Sequence, residues 1–308
     1  MLRVLTVTLN PALDVVYEAH GFAVGRINRP NGKTASAGGK GINVARAYRA
    51  LGGEATATGL LGGSVGRDIQ EAMRSEGMPA AFVSIGGESR INIKISDSET
   101  GAQTELNETG PVVSPQEYES LLGRVRELLP TFDVLVLSGS VPPGVPDDVY
   151  AVLTRIARDE FGVDTLLDAS GDALRAGVEA CPAIVKPNRD EAAGIGVKPV
   201  RWQDAATEMR ERFGLRVVLV TAGAAGAVID NGQGRWQAEP PSIVVKSAVG
   251  SGDSLTAGLL SAWTDGDAAV ALKVGVAAGA VNAESYRSGD ISADAVRAMA
   301  ERVGVSEF

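Results

Sequence analysis

Val134-Leu135-Val136-Leu137-Ser138-Gly139-Ser140 is the stretch from which the fold is read. Four consecutive aliphatic side chains leave no wet face, so the run suits a strand covered on both sides. The glycine turn behind it suits the loop that carries such a strand into a helix. The same order returns at VVLVTAGAAG (217–226) and VVKSAVGSG (244–252). Helical patterns fill the intervals at Asn43 to Ala50, Ser114 to Leu129, Asp204 to Phe213 and Ser254 to Trp263. The second of these opens Ser-Pro, an N-cap followed by proline at the first helical position. Strands alternating with helices predict an α/β fold, a mostly parallel sheet with helices on both faces.

Residues 14–35 and 84–110 break that alternation, reading as strands and turns with no helix between them. Arg90-Ile91-Asn92-Ile93-Lys94-Ile95 alternates polar with apolar, the period of a strand with one wet face. The two stretches predict a small antiparallel β lid over the active site. Its apolar face needs a cover, and a second subunit in a homodimer would supply it. No linker or low-complexity tract interrupts the chain, so 1–308 reads as one domain carrying these excursions.

Composition narrows the function. The 308 residues carry 29 basic and 38 acidic side chains, a net charge of −9, which disfavours nucleic acid as a partner. The lone cysteine, Cys181, excludes a disulfide framework and points to a reducing, cytoplasmic setting. Placed before Pro182, it reads as a buried apolar filler. His20 is the one histidine, too few for a multi-histidine metal site. The opening MLRVLTVTLN is strand-like and unlike a signal peptide. The longest uncharged apolar stretch, Val217 to Ile229, is too short to span a bilayer at ~20 residues. Neither a membrane nor a nucleic acid is expected as a partner.

Four motifs can carry chemistry. In Val249-Gly250-Ser251-Gly252-Asp253-Ser254, the amides of 250–252 at a helix start can stabilise a phosphate or a developing anion. Asp253 in the first turn can accept a proton from a bound hydroxyl, or it can simply cap the helix. Ala37-Gly38-Gly39-Lys40-Gly41-Ile42-Asn43 lets backbone approach a ligand while Lys40 and Asn43 offer a cation and an amide. Gly41 replaces the Ser or Thr of a Walker A loop, and a flexible turn with a solvated lysine is the plain alternative. Thr221-Ala222-Gly223-Ala224-Ala225-Gly226 could line a nucleotide or be a turn, since it lacks dinucleotide spacing. In Lys186-Pro187-Asn188-Arg189-Asp190-Glu191, Asn188 and Glu191 offer oxygens suited to hydrated magnesium, and equally suit a capped helix start.

In order, GGKGINVARA (38–47), KPNRDE (186–191), TAGAAGA (221–227) and VGSGDSLTAGLLSA (249–262) resemble the ribokinase-like (pfkB) family of carbohydrate kinases over essentially the whole chain. TLNPALD (8–14), SRINIKI (89–95), TELNETGP (104–111) and LSGSVPPGVP (137–146) are similar to its phosphosugar branch. The resemblance implies a ribokinase-like fold, ATP and Mg2+. It makes Asp253 the catalytic base and the amides of Gly250, Ser251 and Gly252 the anion hole. Asn188 and Glu191 would organise magnesium, and Lys186 would lie near the nucleotide phosphates. Thr221, Gly223 and Gly226 would line the ATP site, with Asn282 close to the adenine. Asp14 and Asn43 would hold sugar hydroxyls, with Gly38, Gly39, Asn107 and Ser138 in the same substrate site. Lys40, Arg90 and Arg26 would partner a substrate phosphate, because like charges in a narrow site make sense when an anion joins them.

The implied reaction is ATP-dependent phosphorylation of fructose 1-phosphate to fructose 1,6-bisphosphate. Tagatose 6-phosphate and fructose 6-phosphate are the alternative acceptors, and an inactive nucleotide- or sugar-phosphate-binding regulator is the reading of a different class. Two positions depart from the pattern: Ala248 stands where Thr is frequent, and Ser247 stands where ribokinases have an Asp that helps to bind a monovalent cation.

Overall fold

The computed structural model describes residues 1–263 and 267–308. The first third contains β1 (Arg3–Thr8), β2 (Ala12–Ala19), β3 (Gly32–Gly38), α1 (Lys40–Ala50), β4 (Glu54–Gly62), α2 (Gly63–Ser75), β5 (Val83–Ile85), β6 (Arg90–Asp97) and β7 (Gln103–Asn107). The middle contains α3 (Pro115–Leu128), β8 (Val134–Ser138), α4 (Val149–Arg155), β9 (Asp164–Asp168), α5 (Gly171–Val178), β10 (Ile184–Val185), α6 (Arg189–Gly194), α7 (Ala205–Phe213) and β11 (Val217–Thr221). The remainder is β12 (Ala227–Asp230), β13 (Arg235–Glu239), α8 (Ser251–Ala262), α9 (Ala268–Ala283), α10 (Ala293–Ala300) and β14 (Gly304–Glu307).

Ten strands form one sheet in the order β14-β13-β12-β11-β10-β9-β8-β1-β4-β5. Pairings from β5 to β11 are parallel, and β11 to β14 form an antiparallel edge. Each face carries its own core. One gathers α1, α8 and α9 around Ile42, Tyr48, Leu259 and Leu272; the other gathers α3, α4 and α5 around Leu121, Leu135, Tyr150 and Leu174. Each such large apolar side chain contributes roughly 1.5–3 kcal/mol by leaving water. The buried tyrosine hydroxyls are satisfied by backbone, Tyr48 donating to Leu2 O (2.8 Å) and Tyr150 to Gly139 O (3.1 Å).

Local chemistry sets the helix ends. Ser114 and Glu117 form a reciprocal capping box at the start of α3, and Gly214 in the left-handed region (φ 63°) ends α7. The buried α9 packs closely on α8 through glycine: a Cβ on Gly258 would lie 2.7 Å from Val274 O.

Strands β3-β2-β6-β7 form a separate four-stranded lid. Its outer pairs are antiparallel, as expected, but the central pair is parallel, running from Ala12↔Arg90 to Ala19↔Asp97. The lid is two hairpins that leave the body in the same sense, so their first strands pair side by side. Two boundaries also shift. The first excursion begins at Ala12, and Val83–Ile85 is the edge strand of the large sheet, paired with Leu60–Gly62. Cys181 is another correction. It is exposed at φ 53° in the turn after α5, and Pro182 beside it is the buried residue.

Candidate active site

The parallel strands end together at one edge. Thr8 of β1 pairs with Ser138 of β8, and Ser138 with Asp168 of β9. Loops leaving this edge are where an open α/β sheet holds its ligands. The hydroxyls of Thr8 and Ser138 are buried there with no hydrogen-bond partner among the described residues.

Asp168 organises the charges. Its Oδ1 accepts from Lys40 Nζ at 2.8 Å, and its Oδ2 lies 2.7 Å from Lys186 Nζ. Burial pushes its carboxyl up, but Lys186 and Lys40 together outweigh that and hold it below the usual value. The same attraction, led by Asp168, raises the Lys40 ammonium. Lys40 Nζ also stands 3.8 Å from Glu191 Oε1. Lys40 is therefore not an unpaired cation, and it enters the site already partnered by carboxylates.

Asp253 lies in the first turn of α8 and is 6% exposed. Its Oδ2 accepts from Asn43 Nδ2 at 2.8 Å, a bond across 210 residues of chain. Burial first, and then the negative charge of Asp168, push its carboxyl up to about 6; Lys40, Asn43 and Lys186 act against this. A carboxylate poised near neutrality suits a general base. Gly250, at φ 82°, supplies the turn that starts α8, and a Cβ there would lie 2.5 Å from Ser288 Cβ. A Cβ on Gly252 would meet Lys186 Nζ at 3.5 Å, so the α8 N-terminus and a lysine ammonium face one space.

On the lid, Asp14 Oδ1 accepts from Asn92 Nδ2 at 2.9 Å, and burial raises its carboxyl. Gly38 leaves room for the Asp14 carboxylate: a Cβ there would sit 2.0 Å from Asp14 Oδ2 and displace it. Asp14, Asn92 and Asn107 line a cleft of about 930 Å³ between lid and body. A second cavity of about 230 Å³ is lined by Asn10, Gly39, Lys40, Arg90 and Ser140. Arg90 donates through Nε to Asn10 O (3.1 Å) and through a terminal nitrogen to Glu108 O (3.0 Å). It makes no ion pair among the described residues.

Several expected residues stand elsewhere. Arg26 is exposed in the β2–β3 connection and lines neither cavity. Ser138 is fully buried, and Ser140, two residues further along the loop, reaches the cavity instead. Asn282 is 0% exposed and its amide is fully engaged. It donates to Val249 O (2.9 Å) and accepts from Ser254 Oγ (3.0 Å) and Gly289 N (2.7 Å), bracing the loop before Asp253.

At the start of α6, Asn188 and Glu191 form a capping box. Asn188 Oδ1 accepts from Glu191 N (2.8 Å), and Glu191 Oε2 accepts from Asn188 N (2.7 Å). Glu191 Oε1 remains as a hard oxygen donor facing Lys40. Thr221 closes β11 beside Asn188, and Gly223 and Gly226 (φ 56° and 92°) shape a one-turn 3-10 segment that returns directly into β12. Asp168 belongs to none of the four sequence motifs. Its available signal was a carboxylate closing the apolar strand DTLLD (164–168), where charge has no place unless partnered.

The sheet edge, the anion-ready helix start and the buried carboxylate define a phosphotransfer-type site. The pfkB family carbohydrate kinase model matches residues 8–295, and the chain belongs to that family. It is 33% identical over 314 residues to tagatose-6-phosphate kinase of Staphylococcus epidermidis, covering 99% of both chains. Phosphofructokinase-2 from Escherichia coli, solved in complex with substrates and products, superposes with a TM-score of 0.90 at 28% identity, covering 98% of this chain and 99% of that one. A structure described as a possible 1-phosphofructokinase from Thermotoga maritima gives a TM-score of 0.89 at 30% identity, with 99% of each chain covered.

Proposed function

We propose that the protein is an ATP-dependent kinase that converts fructose 1-phosphate to fructose 1,6-bisphosphate. The observation that carries the phosphosugar reading is Arg90. A half-buried guanidinium on a cavity wall, with carbonyls on two of its donors and no carboxylate paired to it among the described residues, calls for an anion. A neutral sugar would not need it.

With the sugar phosphate anchored at Arg90 and Ser140, its hydroxyls are held by Asp14 and Asn43. Asp253 takes the proton of the acceptor hydroxyl. The resulting oxygen forms a bond to the γ-phosphorus of ATP, and the bond from that phosphorus to the β–γ bridging oxygen breaks, releasing ADP. Lys186 and the amides of 250–252 neutralise charge on the transferring group, so positioning and electrostatics do most of the work. The Thr221 to Gly226 turn lines the nucleotide. For Mg2+, Glu191 Oε1, which stays outside the capping box and stands 3.8 Å from Lys40 Nζ, is the hard oxygen that would hold it. Bound there, it would supply charge neutralisation between the phosphates.

Tagatose 6-phosphate is the second reading, favoured by the similarity to the staphylococcal kinase. The deciding experiment is a coupled ADP-release assay across fructose 1-phosphate, tagatose 6-phosphate and fructose 6-phosphate. The highest kcat/KM for fructose 1-phosphate is expected. Highest kcat/KM for either 6-phosphate reassigns the acceptor, and no turnover of any of the three overturns the kinase reading.

A further inference from the structure

Arg46 of α1 lies one helical turn beyond Asn43, on the same face, and is 8% exposed. Its guanidinium donates to Asn43 Oδ1 (3.1 Å), Ala37 O (2.7 Å) and Ser288 O (3.1 Å), and its Nε to Glu76 Oε2 (2.7 Å). Glu76 is in turn paired with Arg287. On its other side, Asn43 donates through Nδ2 to Asp253 (2.8 Å).

An amide has one accepting end and one donating end. A guanidinium can only donate and an ionised carboxylate can only accept. Asn43, caught between the two, therefore has a single orientation that satisfies both. We infer that Arg46 is a positioning residue: by donating to the carbonyl end of the Asn43 amide, it fixes the amino end on Asp253 and keeps that carboxylate ionised. With Arg46 gone, the amide can turn its oxygen toward Asp253, where two acceptors would meet unless the carboxyl took up a proton. The guanidinium also holds Ala37 O, so one side chain ties the base to the glycine turn at 38–39.

The inference rests on Asp253 as the proton acceptor, and it makes predictions that do not depend on turnover. Asp253 is faced by Asp168 from the end of β9, by Lys40 and Asn43 from α1, and by Lys186 from the loop after β10. Arg46→Lys leaves these groups in place and keeps a positive charge, but it loses the fork. Following the Asp253 carboxyl carbon by 13C NMR, Arg46→Lys should move its titration up by about half a pH unit or more, as expected when a hydrogen bond to the charged form is lost. The kcat with sugar phosphate should fall about tenfold with KM for ATP little changed, the size of one charge-assisted hydrogen bond. Glu76→Gln is the control for general loosening, because it breaks the outer ion pair and leaves the Asn43 contact. It should lower the melting temperature and leave the Asp253 titration where it was.

An unchanged Asp253 titration in Arg46→Lys, or an equal shift in Glu76→Gln, overturns the inference. In the parent protein, the side-chain 15NH2 signals of Asn43 should shift through the same transition as the Asp253 carbon. If they stay constant, the amide does not face the carboxylate and the inference falls, whether or not a variant folds. A parent that turns over no phosphosugar removes the kinase reading, and the two NMR titrations still decide the role of Arg46.

Discussion

The carboxylate of Asp168 and the ammonium of Lys186 stand 2.7 Å apart with side chains only 1% and 4% exposed. A pair so dry is worth little against apolar substitutes, but removing one partner leaves an uncompensated buried charge. Asp168→Ala strands Lys186 beside Lys40, and unfolding stability should fall by about 3–5 kcal/mol in urea denaturation. A loss under about 1 kcal/mol would show that water reaches the lysines and that Asp168 is not their anchor. The pH dependence has a definite sign. The folded carboxyl is depressed, so its contribution is present above the unfolded value of 3.8 and is lost as pH falls below it.

Asp253 titrates in the opposite sense. The folded carboxyl keeps its proton to about pH 6, whereas the unfolded chain releases it near 3.8. Its contribution to stability is therefore greatest below 3.8 and declines as pH rises to about 6. Asp253→Asn should melt at or above the parent at pH 7.5, with that advantage gone at pH 4. Its turnover should fall by ~10²–10⁴-fold, the usual worth of a general base. In the parent, kcat/KM should climb with pH up to about 6 and then level. Retention of half the parent rate in Asp253→Asn would remove it as the base.

Arg90→Ala should raise KM for the sugar phosphate roughly ten- to hundred-fold, corresponding to about 1.5–3 kcal/mol for a charge-assisted hydrogen bond. Arg90→Lys should recover little of this, because an ammonium cannot reproduce the fork. KM for ATP should hardly move, since the proposed nucleotide turn at 221–226 is not among the residues lining the Arg90 cavity. Equal losses for both substrates would assign Arg90 to holding the lid through Asn10 and Glu108.

The lid predicts association. Ile91, Ile93 and Ile95 alternate along β6 and are half-buried, and Leu106, in register with Ile93, is 61% exposed. Sedimentation should show a concentration-dependent dimer, and Leu106→Asp should shift it toward monomer. A parent that stays monomeric at tens of micromolar, an order-of-magnitude condition for a functional dimer, would rule out lid pairing.

The sequence made the central sheet legible because its strands are dry on both faces and end in glycine, and α3 was legible through Ser114-Pro115. By contrast, α9 left no amphipathic trace, being buried among α8 and the sheet on most sides, and only packing defines it. The parallel β2–β6 pairing was hidden because strand period reports which face is wet and not which way the neighbour runs. At the site, Asp253, Lys40 and Asn43 announced themselves through glycine-rich motifs. Asp168 did not, since its role depends on two lysines 128 and 18 residues away. The misplacement of Ser138 has a similarly local cause: one residue of strand pleat decides whether a hydroxyl enters the sheet or the loop beyond it.

The bond from Asn43 to Asp253 closes a loop of 210 residues. Asp253 and the amide that donates to it therefore meet only after nearly all of the chain has left the ribosome. A nascent or truncated chain ending before α8 lacks Asp253, and with it the helices α8 and α9 that cover one face of the sheet. Such long-range closure is slow to form. On the proposed reading of Asp253 as the base, phosphotransfer competence arrives with completion of the fold.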